Sequence, residues 1–323
     1  MPGAGEIRAQ VASESERRGR LSVPALAGGV LYLFGSIIIA NTLSGAPTVG
    51  LLQGLAPALS GEANPAVSPR APEVKFISHH ALVLIAGSVL AAVAIGALTL
   101  VLLLLLDATR FRRPQLWPAA RPLVLAGGIA VAAVSLGHQV VSAIETHNFA
   151  VGHDLSNHAV DQALTKGAPN LIVQYVDLLA GLALAAGMIT VMINTLRVGL
   201  LPRWMAILGM FTAILLFLPI GGAQLEVIPA FWLVMIGILF AGRWPNGEPP
   251  AWMAGEARPW PTPAERRAER AAGSDGGGPG GGRGGGGRNG APAQPAVPVA
   301  AESPIQGSSG TPRKRRRKRA KRT

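Results

Sequence analysis

The ionisable residues whose spacing could support chemistry lie in two long apolar segments. His138 falls six residues before the end of one segment, and Asp177 falls six residues into the next. If both segments are membrane-spanning helices, both side chains lie about 9 Å inside the outer boundary. Ionisable residues at such depths are costly and usually face a partner or a cavity. We therefore predict an intramembrane polar cluster made of His138, Gln139, Ser142, Gln174, Tyr175 and Asp177.

Two interpretations of this cluster stay open. It could line an outward-facing cavity of a small transporter or channel-like protein, or it could be a hydrogen-bonded clamp between helices. The inner halves of the spans are almost wholly apolar, as in Leu100 to Leu106 and Leu123 to Val134. This composition counts against a conducting path and favours the clamp.

The loop from Glu145 to Asn170 contains the remaining candidates for metal ligands. Helical structure over residues 154 to 164 would place Asp154, His158 and Asp161 on one face, with Asp154 as the N-cap. Imidazole and carboxylate groups bind zinc and other divalent ions, but the spacing matches no established motif. No cofactor is predicted, and a metalloenzyme stays an alternative hypothesis. Its ligands would be His147, His153, Asp154, His158 and Asp161.

Other kinds of chemistry find no support in the chain. Cysteine is absent, which excludes disulfides, thiolate metal sites and cysteine nucleophiles. No glycine-rich loop follows a strand, and no catalytic Ser/His/Asp pattern is present. No catalytic residue is therefore predicted.

Apolar runs of membrane-spanning length define the fold class. Of the 323 residues, 49% are hydrophobic and only 14% are charged, whereas soluble domains are about one-quarter charged. A spanning helix needs about 20 apolar residues. We predict an all-α bundle of six transmembrane helices, with the first an uncleaved anchor and the last two short, joined by Gly221-Gly222 or including a re-entrant segment. The predicted spans are Leu21–Leu43, His80–Leu106, Leu123–Ile144, Leu171–Leu196, Trp204–Ile220 and Val227–Ala241.

Many glycines fall within these spans, where small residues permit close helix approach. We expect this role at Gly28, Gly29, Gly35, Gly87, Gly96, Gly127, Gly128, Gly181 and Gly187.

Basic residues indicate the orientation. Lys and Arg concentrate in cytoplasmic loops, and one side of the predicted bundle holds ten arginines before the tail, against three Lys or Arg on the other. Both termini are therefore predicted inside, with Trp117, Trp204 and Trp244 at the inner interface. The resulting location is the bacterial inner membrane.

The formal charge of +12 comes mostly from the C-terminal end, which holds 16 Lys or Arg against 6 Asp or Glu from Arg243 onward. The predicted domains are a cytoplasmic segment (1–20), the six-helix domain (21–242), a Pro/Trp-rich juxtamembrane segment against the inner membrane surface (243–272) and a disordered tail (273–323). Basic clusters bind anionic lipid headgroups at about 1 kcal/mol per residue. We predict lipid contact there and regard nucleic acid as a less favoured partner; the oligomeric state is left open. The contacting residues would be Arg313, Lys314, Arg315, Arg316, Arg317, Lys318, Arg319, Lys321 and Arg322.

The segment after the last predicted span carries a resemblance. Its residues read GRWPNGEPPAW (242–252) and GEARPWP (255–261). Together with the helical layout over residues 20 to 262, this segment resembles uncharacterised multi-pass membrane proteins of actinobacteria. The resemblance implies a membrane location and names no substrate. The sequence thus favours a membrane scaffold or sensor with a lipid-associating tail.

Overall fold

The fold is described from a computed structural model, which describes residues 3–61, 67–217, 226–245, 247–260 and 267–268. Almost all of them belong to one compact unit that runs to Arg267. The predicted tail, its basic residues and Gly221-Gly222 lie outside the described residues.

The described part of the chain is helical and contains no strand. It contains ten α-helices and one π-helical turn, Gln162–Lys166, between α6 and α7. The α-helices are α1 (Ala4–Ser44), α2 (Leu51–Leu59), α3 (Ala71–His79), α4 (Ala81–Arg112), α5 (Ala120–Val151), α6 (Asn157–Asp161), α7 (Ala168–Val198), α8 (Arg203–Phe217), α9 (Val227–Phe240) and α10 (Pro250–Ala254).

Four of these helical segments are long and apolar enough to cross a membrane, which makes this a membrane protein. They are α1, α4, α5 and the stretch Asn157–Val198 that contains α7. The shorter apolar helices α8 and α9 have 15 and 14 residues. An apolar helix thus occupies each of the six predicted segments. Unexpectedly, α1 begins at Ala4 and carries the helix about 25 Å beyond its predicted span.

Helix α4 forms the centre of the bundle. It packs against α1, α5 and α7, while α9 packs against α1 and α8. Within the most apolar stretch of each helix, 61% of α4 is buried inside the protein, compared with 17% of α5. The outward faces of α1 and α5 are therefore left to the lipid.

Glycines bring the backbones together at several crossings, as predicted. A Cβ on Gly29 would lie 2.7 Å from the Ala230 carbonyl, and one on Gly127 would lie 2.5 Å from the Leu184 nitrogen. The prediction is wrong for Gly96, which has nothing within 4 Å of its Cβ position. Gly96 lies in a groove of the bundle surface and not at a helix crossing.

The two ends of the bundle differ in their side chains and are named accordingly. The basic end is where α4 and α7 finish, with Arg112 and Arg197 in their last turns. The histidine end is the opposite one, where α3 and α6 lie. There a small apolar core is formed by Ala71, Val74, Phe149, Val160 and Ala163.

The loop at the histidine end differs from its prediction, because its helix begins at Asn157 and leaves Asp154 outside the helix face that carries His158 and Asp161. Asp154 is not the N-cap of α6, because the Ser156 side chain accepts the capping bond from the Ala159 N–H at 3.3 Å. Asp154 accepts from the Ser156 N–H at 2.9 Å instead. The neighbouring Leu155 carbonyl accepts from the Ser68 N–H at 2.7 Å, which joins this turn to the segment before α3.

Candidate functional site at the basic end

A buried ion pair fixes the N-terminal part of α1 to the end of α4. The Arg112 guanidinium donates to both carboxylate oxygens of Glu14, at 2.9 and 2.7 Å. The side chains are 0% and 3% exposed. Arg112 also donates to the carbonyls of Ala251 and Ala108 at 3.1 and 2.8 Å. A buried charge is tolerated only when paired and hydrogen-bonded, and Arg112 meets both conditions.

The indole ring of Trp252, in α10, contacts two guanidinium groups. The guanidinium carbon of Arg18 lies 4.5 Å from the ring centroid and that of Arg112 lies 5.5 Å away. Cations at these distances interact favourably with an aromatic face. The indole N–H donates to the Leu200 carbonyl at 2.9 Å. Trp252 is 1% exposed, so its ring is enclosed by protein.

A second ion pair joins α1 to the segment before α10. Arg18 donates to Glu248 at 3.3 Å. Together with the Glu14–Arg112 pair and Trp252, this contact completes a five-residue group that we name the clasp. The clasp connects α1, α4 and α10, which lie far apart in the sequence. It consists of Glu14, Arg18, Arg112, Glu248 and Trp252.

Backbone contacts extend the clasp toward the point where the tail begins. The Arg258 N–H donates to the Val198 carbonyl at 2.9 Å, and Arg203 donates to the Trp260 carbonyl at 3.2 Å. Gly199 ends α7 with a φ of 85°, and a Cβ there would clash with the Arg258 carbonyl oxygen. The position therefore needs glycine for its backbone conformation and for the close approach.

Residues 243–245 and 247–260 thus contact the helical bundle, and their position against the inner membrane surface stays a prediction. Trp204 and Trp244 stack at 5.9 Å between ring centroids, and Trp117 is half exposed. Trp117 and Trp204 are exposed and Trp244 is partly buried, whereas Trp252 is enclosed by protein. The position of the first three rings at the inner membrane interface stays a prediction. Sequence analysis missed the clasp because its pairs join residues about 100 or more positions apart. The local signals were Glu14 and Arg18 at i, i+4 and the Trp/Pro-rich segment itself.

The predicted intramembrane cluster is only partly assembled. His138 and Asp177 lie on adjacent helices, α5 and α7, close enough for an electrostatic interaction. Both side chains are exposed at the bundle surface, as are Gln174 and Tyr175. Gln139 and Ser142 are half-buried. Among the described residues no hydrogen bond links His138 to Asp177, and the cluster opens outward from the bundle, away from the apolar core.

A polar contact that the sequence did not suggest lies between α1 and α9. Ser36 donates to the Glu226 carboxylate at 3.2 Å, and Tyr32 also interacts with this carboxylate. Glu226 directly precedes α9, and Tyr32 and Ser36 are one turn apart on α1. These bonds hold the start of α9 against α1 and provide hydrogen-bond donors to the Glu226 carboxylate.

The predicted metal ligands do not converge. Within the described ranges no group of three His, Asp or Glu side chains has a geometry that could hold a metal ion. His147, His153 and His158 are exposed, and Asp161 pairs with Lys166 at 2.7 Å. The described geometry therefore lends the metalloenzyme alternative no support.

The clasp pairs its two carboxylates with arginines and encloses the Trp252 ring between them and α10. Such contacts are structural. Comparison with protein-family models, with curated proteins and with solved structures finds no match for this chain. The resemblance to actinobacterial membrane proteins stays a prediction, and functional inference depends on the chain's own residues.

Proposed function

We propose that this protein is a six-span inner-membrane scaffold that holds a basic cytoplasmic tail at the membrane surface. The clasp is the observation that carries the proposal. It fixes the segment leading to the tail against the bundle through buried contacts of Arg112 and Trp252. A scaffold whose tail acts near the membrane needs a fixed position for the residues from which the tail begins.

The proposed orientation places the basic end in the cytoplasm. Basic residues in short loops favour the cytoplasmic side, and the clasp gathers the arginines of α1 and α4 at one end of the bundle. The stacked rings of Trp204 and Trp244 lie at the same end and suit a membrane interface. Both termini are then cytoplasmic.

Six spans require α8 and α9 to cross with fewer residues than the other four helices. Their 15 and 14 residues correspond to about 22 Å each, compared with about 30 Å of hydrocarbon. A short helix is accommodated by local thinning of the bilayer at modest cost. The bonds of Glu226 to α1 favour α9 as a full member of the bundle.

The tail supplies the proposed activity, which is association with anionic lipid headgroups. Nine of its last eleven residues are Lys or Arg. At about 1 kcal/mol for each residue near a charged surface, a few contacts suffice for association. The attraction is electrostatic, so it weakens as salt rises.

A fluorescent label on the tail tests this proposal. Because the sequence has no cysteine, Ser308→Cys gives one labelling site in the full chain. In nanodiscs containing phosphatidylglycerol, headgroup-attached quenchers should quench the label, and 1 M salt should relieve the quenching. Nanodiscs of phosphatidylcholine alone should show little quenching.

The matched control replaces the nine basic residues 313–319, 321 and 322 with glutamine. This variant should lose the phosphatidylglycerol-dependent quenching while the helical bundle stays folded. Equal quenching in both lipids, or by both proteins, would refute lipid association of the tail. Membrane-impermeant labelling of Ser308→Cys in sealed cells tests the orientation, and labelling from outside would refute it.

A further inference from the structure

An apolar groove lies on the membrane-facing surface of the bundle. Its volume is about 670 Å³, and its lining comes from α1, α4 and α5. Helix α4 forms the floor, since it contacts both α1 and α5. The floor is open at Gly96, whose Cβ position has nothing within 4 Å. The groove therefore exists because a small residue on α4 faces a gap between its two neighbours.

The groove has no unsatisfied polar group to bind a polar ligand. Thr99 is the lining residue with a polar side chain, and its hydroxyl donates to the Ile95 carbonyl at 2.8 Å. Val93, Leu100, Leu125 and Ile129 are all more than 40% exposed along the groove. Such an apolar surface can be covered by a hydrocarbon chain.

The length of the groove matches one leaflet. Its lining on α4 extends from Val93 to Leu103, which is about 15 Å along the helix. The hydrocarbon core of a bilayer is about 30 Å thick. The groove begins near the basic end, at Pro24 and Leu125, and fades before the histidine end. One acyl chain from the leaflet at the basic end would therefore fill it.

Two arginines stand at the mouth of the groove. Arg20 is one helical turn from Pro24, and Arg121 is one turn from Leu125, each toward the basic end on the same helix face. Each side chain is more than half exposed. Arg20 makes one bond to Glu16, and Arg121 lies 3.8 Å from Asp107. A guanidinium has five donors, so both retain donors for a phosphate.

We propose that this groove is a binding site for one anionic phospholipid. An acyl chain lies along Gly96, and the phosphate is bound by Arg20 and Arg121. Arg20 and Arg121 retain guanidinium donors that suit a phosphate. The one-leaflet length distinguishes the occupant from a helix of another protein, which would need the full bilayer depth. The site belongs to the helical bundle and does not depend on the tail.

Spin-labelled lipids test the proposal in the full chain. The protein is reconstituted in phosphatidylcholine vesicles that contain trace phosphatidylglycerol or phosphatidylcholine labelled near the chain end. Electron spin resonance then gives the motionally restricted fraction of each lipid. Wild type should restrict phosphatidylglycerol several-fold more strongly than phosphatidylcholine.

Filling the groove should remove this preference. Gly96→Trp places a ring where the acyl chain would lie, and Gly137→Trp is the matched control, because its Cβ position on α5 is also open. Both variants carry the same tail, so the tail's contribution cancels in their comparison. Gly96→Trp should lower the phosphatidylglycerol preference several-fold relative to Gly137→Trp. Gly96→Leu gives the same comparison with a smaller side chain if the tryptophan variant fails to fold.

The headgroup contact is tested independently by Arg20→Gln with Arg121→Gln. This double variant should lower the phosphatidylglycerol preference and leave chain restriction of phosphatidylcholine unchanged. The proposal is overturned if the Gly96 variants match their control, or if the double arginine variant matches wild type. A change in oligomeric state on filling the groove would assign it to a second copy of the chain and would also overturn the lipid site. Tail quenching can fail while these results hold, so the two proposals are separable.

Discussion

The two ends of the bundle hold their charged residues in opposite ways. At the basic end Glu14 and Arg112 are buried and paired across 98 positions of sequence, with Trp252 enclosed beside them. At the histidine end the ion pairs are local and exposed, as between Asp161 and Lys166. Exposed pairs contribute little to stability, whereas breaking a buried one leaves an uncompensated charge. The end with more basic residues is therefore also the end held together by buried ion pairs.

Removing one partner of the buried pair should have the largest effect. Glu14→Ala leaves Arg112 buried without its carboxylate and should lower the free energy of unfolding by about 3–5 kcal/mol. Glu16→Ala, in the same helix, breaks an exposed pair with Arg20 and should cost about 0–1 kcal/mol. Unfolding in mixed micelles measures both. Equal losses would show that the clasp is no stronger than a surface pair.

The docking of residues 247–260 can be broken at Gly199. Gly199→Ala adds the strain of a left-handed backbone and a clash with the Arg258 carbonyl, for a combined cost of about 2–4 kcal/mol. Gly247→Ala has a similar φ of 77° with open space around it, so it should cost about 1–2 kcal/mol. Limited proteolysis near Arg258 should increase in the first variant alone. Identical cleavage of the two would argue against docking.

A milder substitution distinguishes the contribution of the Trp252 ring from that of its hydrogen bond. Trp252→Phe keeps an aromatic face for the arginines but leaves the Leu200 carbonyl without its donor, at a cost of about 1–3 kcal/mol. Trp117→Phe, at a half-exposed ring of the same end, is the control and should change stability by less than about 0.5 kcal/mol. Thermal unfolding in detergent checks both. A larger loss from the control would contradict the buried role of Trp252.

The smallest effect concerns pH at the histidine end. Bonds from Ser156, the backbone N–H first, lower the pKa of the Asp154 carboxyl below its ordinary 3.8. A lowered folded pKa gives stability that is present above the ordinary pKa and is lost as pH falls through the folded one. Hydrogen exchange of the Ser156 amide, corrected for intrinsic rate, should lose protection in that acid range, while the clasp amides should not.

Asp154→Ala is the matched control for this pH effect. It should show weak protection of the Ser156 amide at every pH, because the acceptor is gone. Protection in the variant equal to that of wild type would mean that the Asp154 bond contributes nothing to the turn.

Apolar runs were enough to predict the long helices, because about 20 apolar residues in a row have few alternatives to a buried or membrane helix. The polar stretch before Leu21 carries no such signal, so the extension of α1 was missed. Contacts with other helices hold the N-terminal part of α1 in place. The pair between Glu14 and Arg112 forms only in the tertiary fold. The same limit applies to Gly96. Its residue type and its place in a span are those of a packing glycine, but no neighbouring helix lies close to it.

The candidate site was less predictable than the fold. The proximity of His138 to Asp177 followed from their equal depth on consecutive helices, but their exposure depended on how α5 and α7 are rotated. The sequence predicted Asp154 as the N-cap of α6, but Ser156, two residues later and also a good capping residue, occupies that position. The Ser68–Leu155 contact anchors the turn between them, and this contact joins distant segments that no local pattern connects.

The docking of α10 on α1 can be measured as one distance. Ser15 and Met253 are exposed and line the same surface depression, and a chain without cysteine accepts two site-specific spin labels at Ser15→Cys and Met253→Cys. In the reconstituted protein with no other substitution, double electron–electron resonance between the two labels should give one short, narrow distance distribution. Adding Trp252→Ala should broaden it toward longer distances. A broad distribution before that change would contradict the clasp and the scaffold built on it.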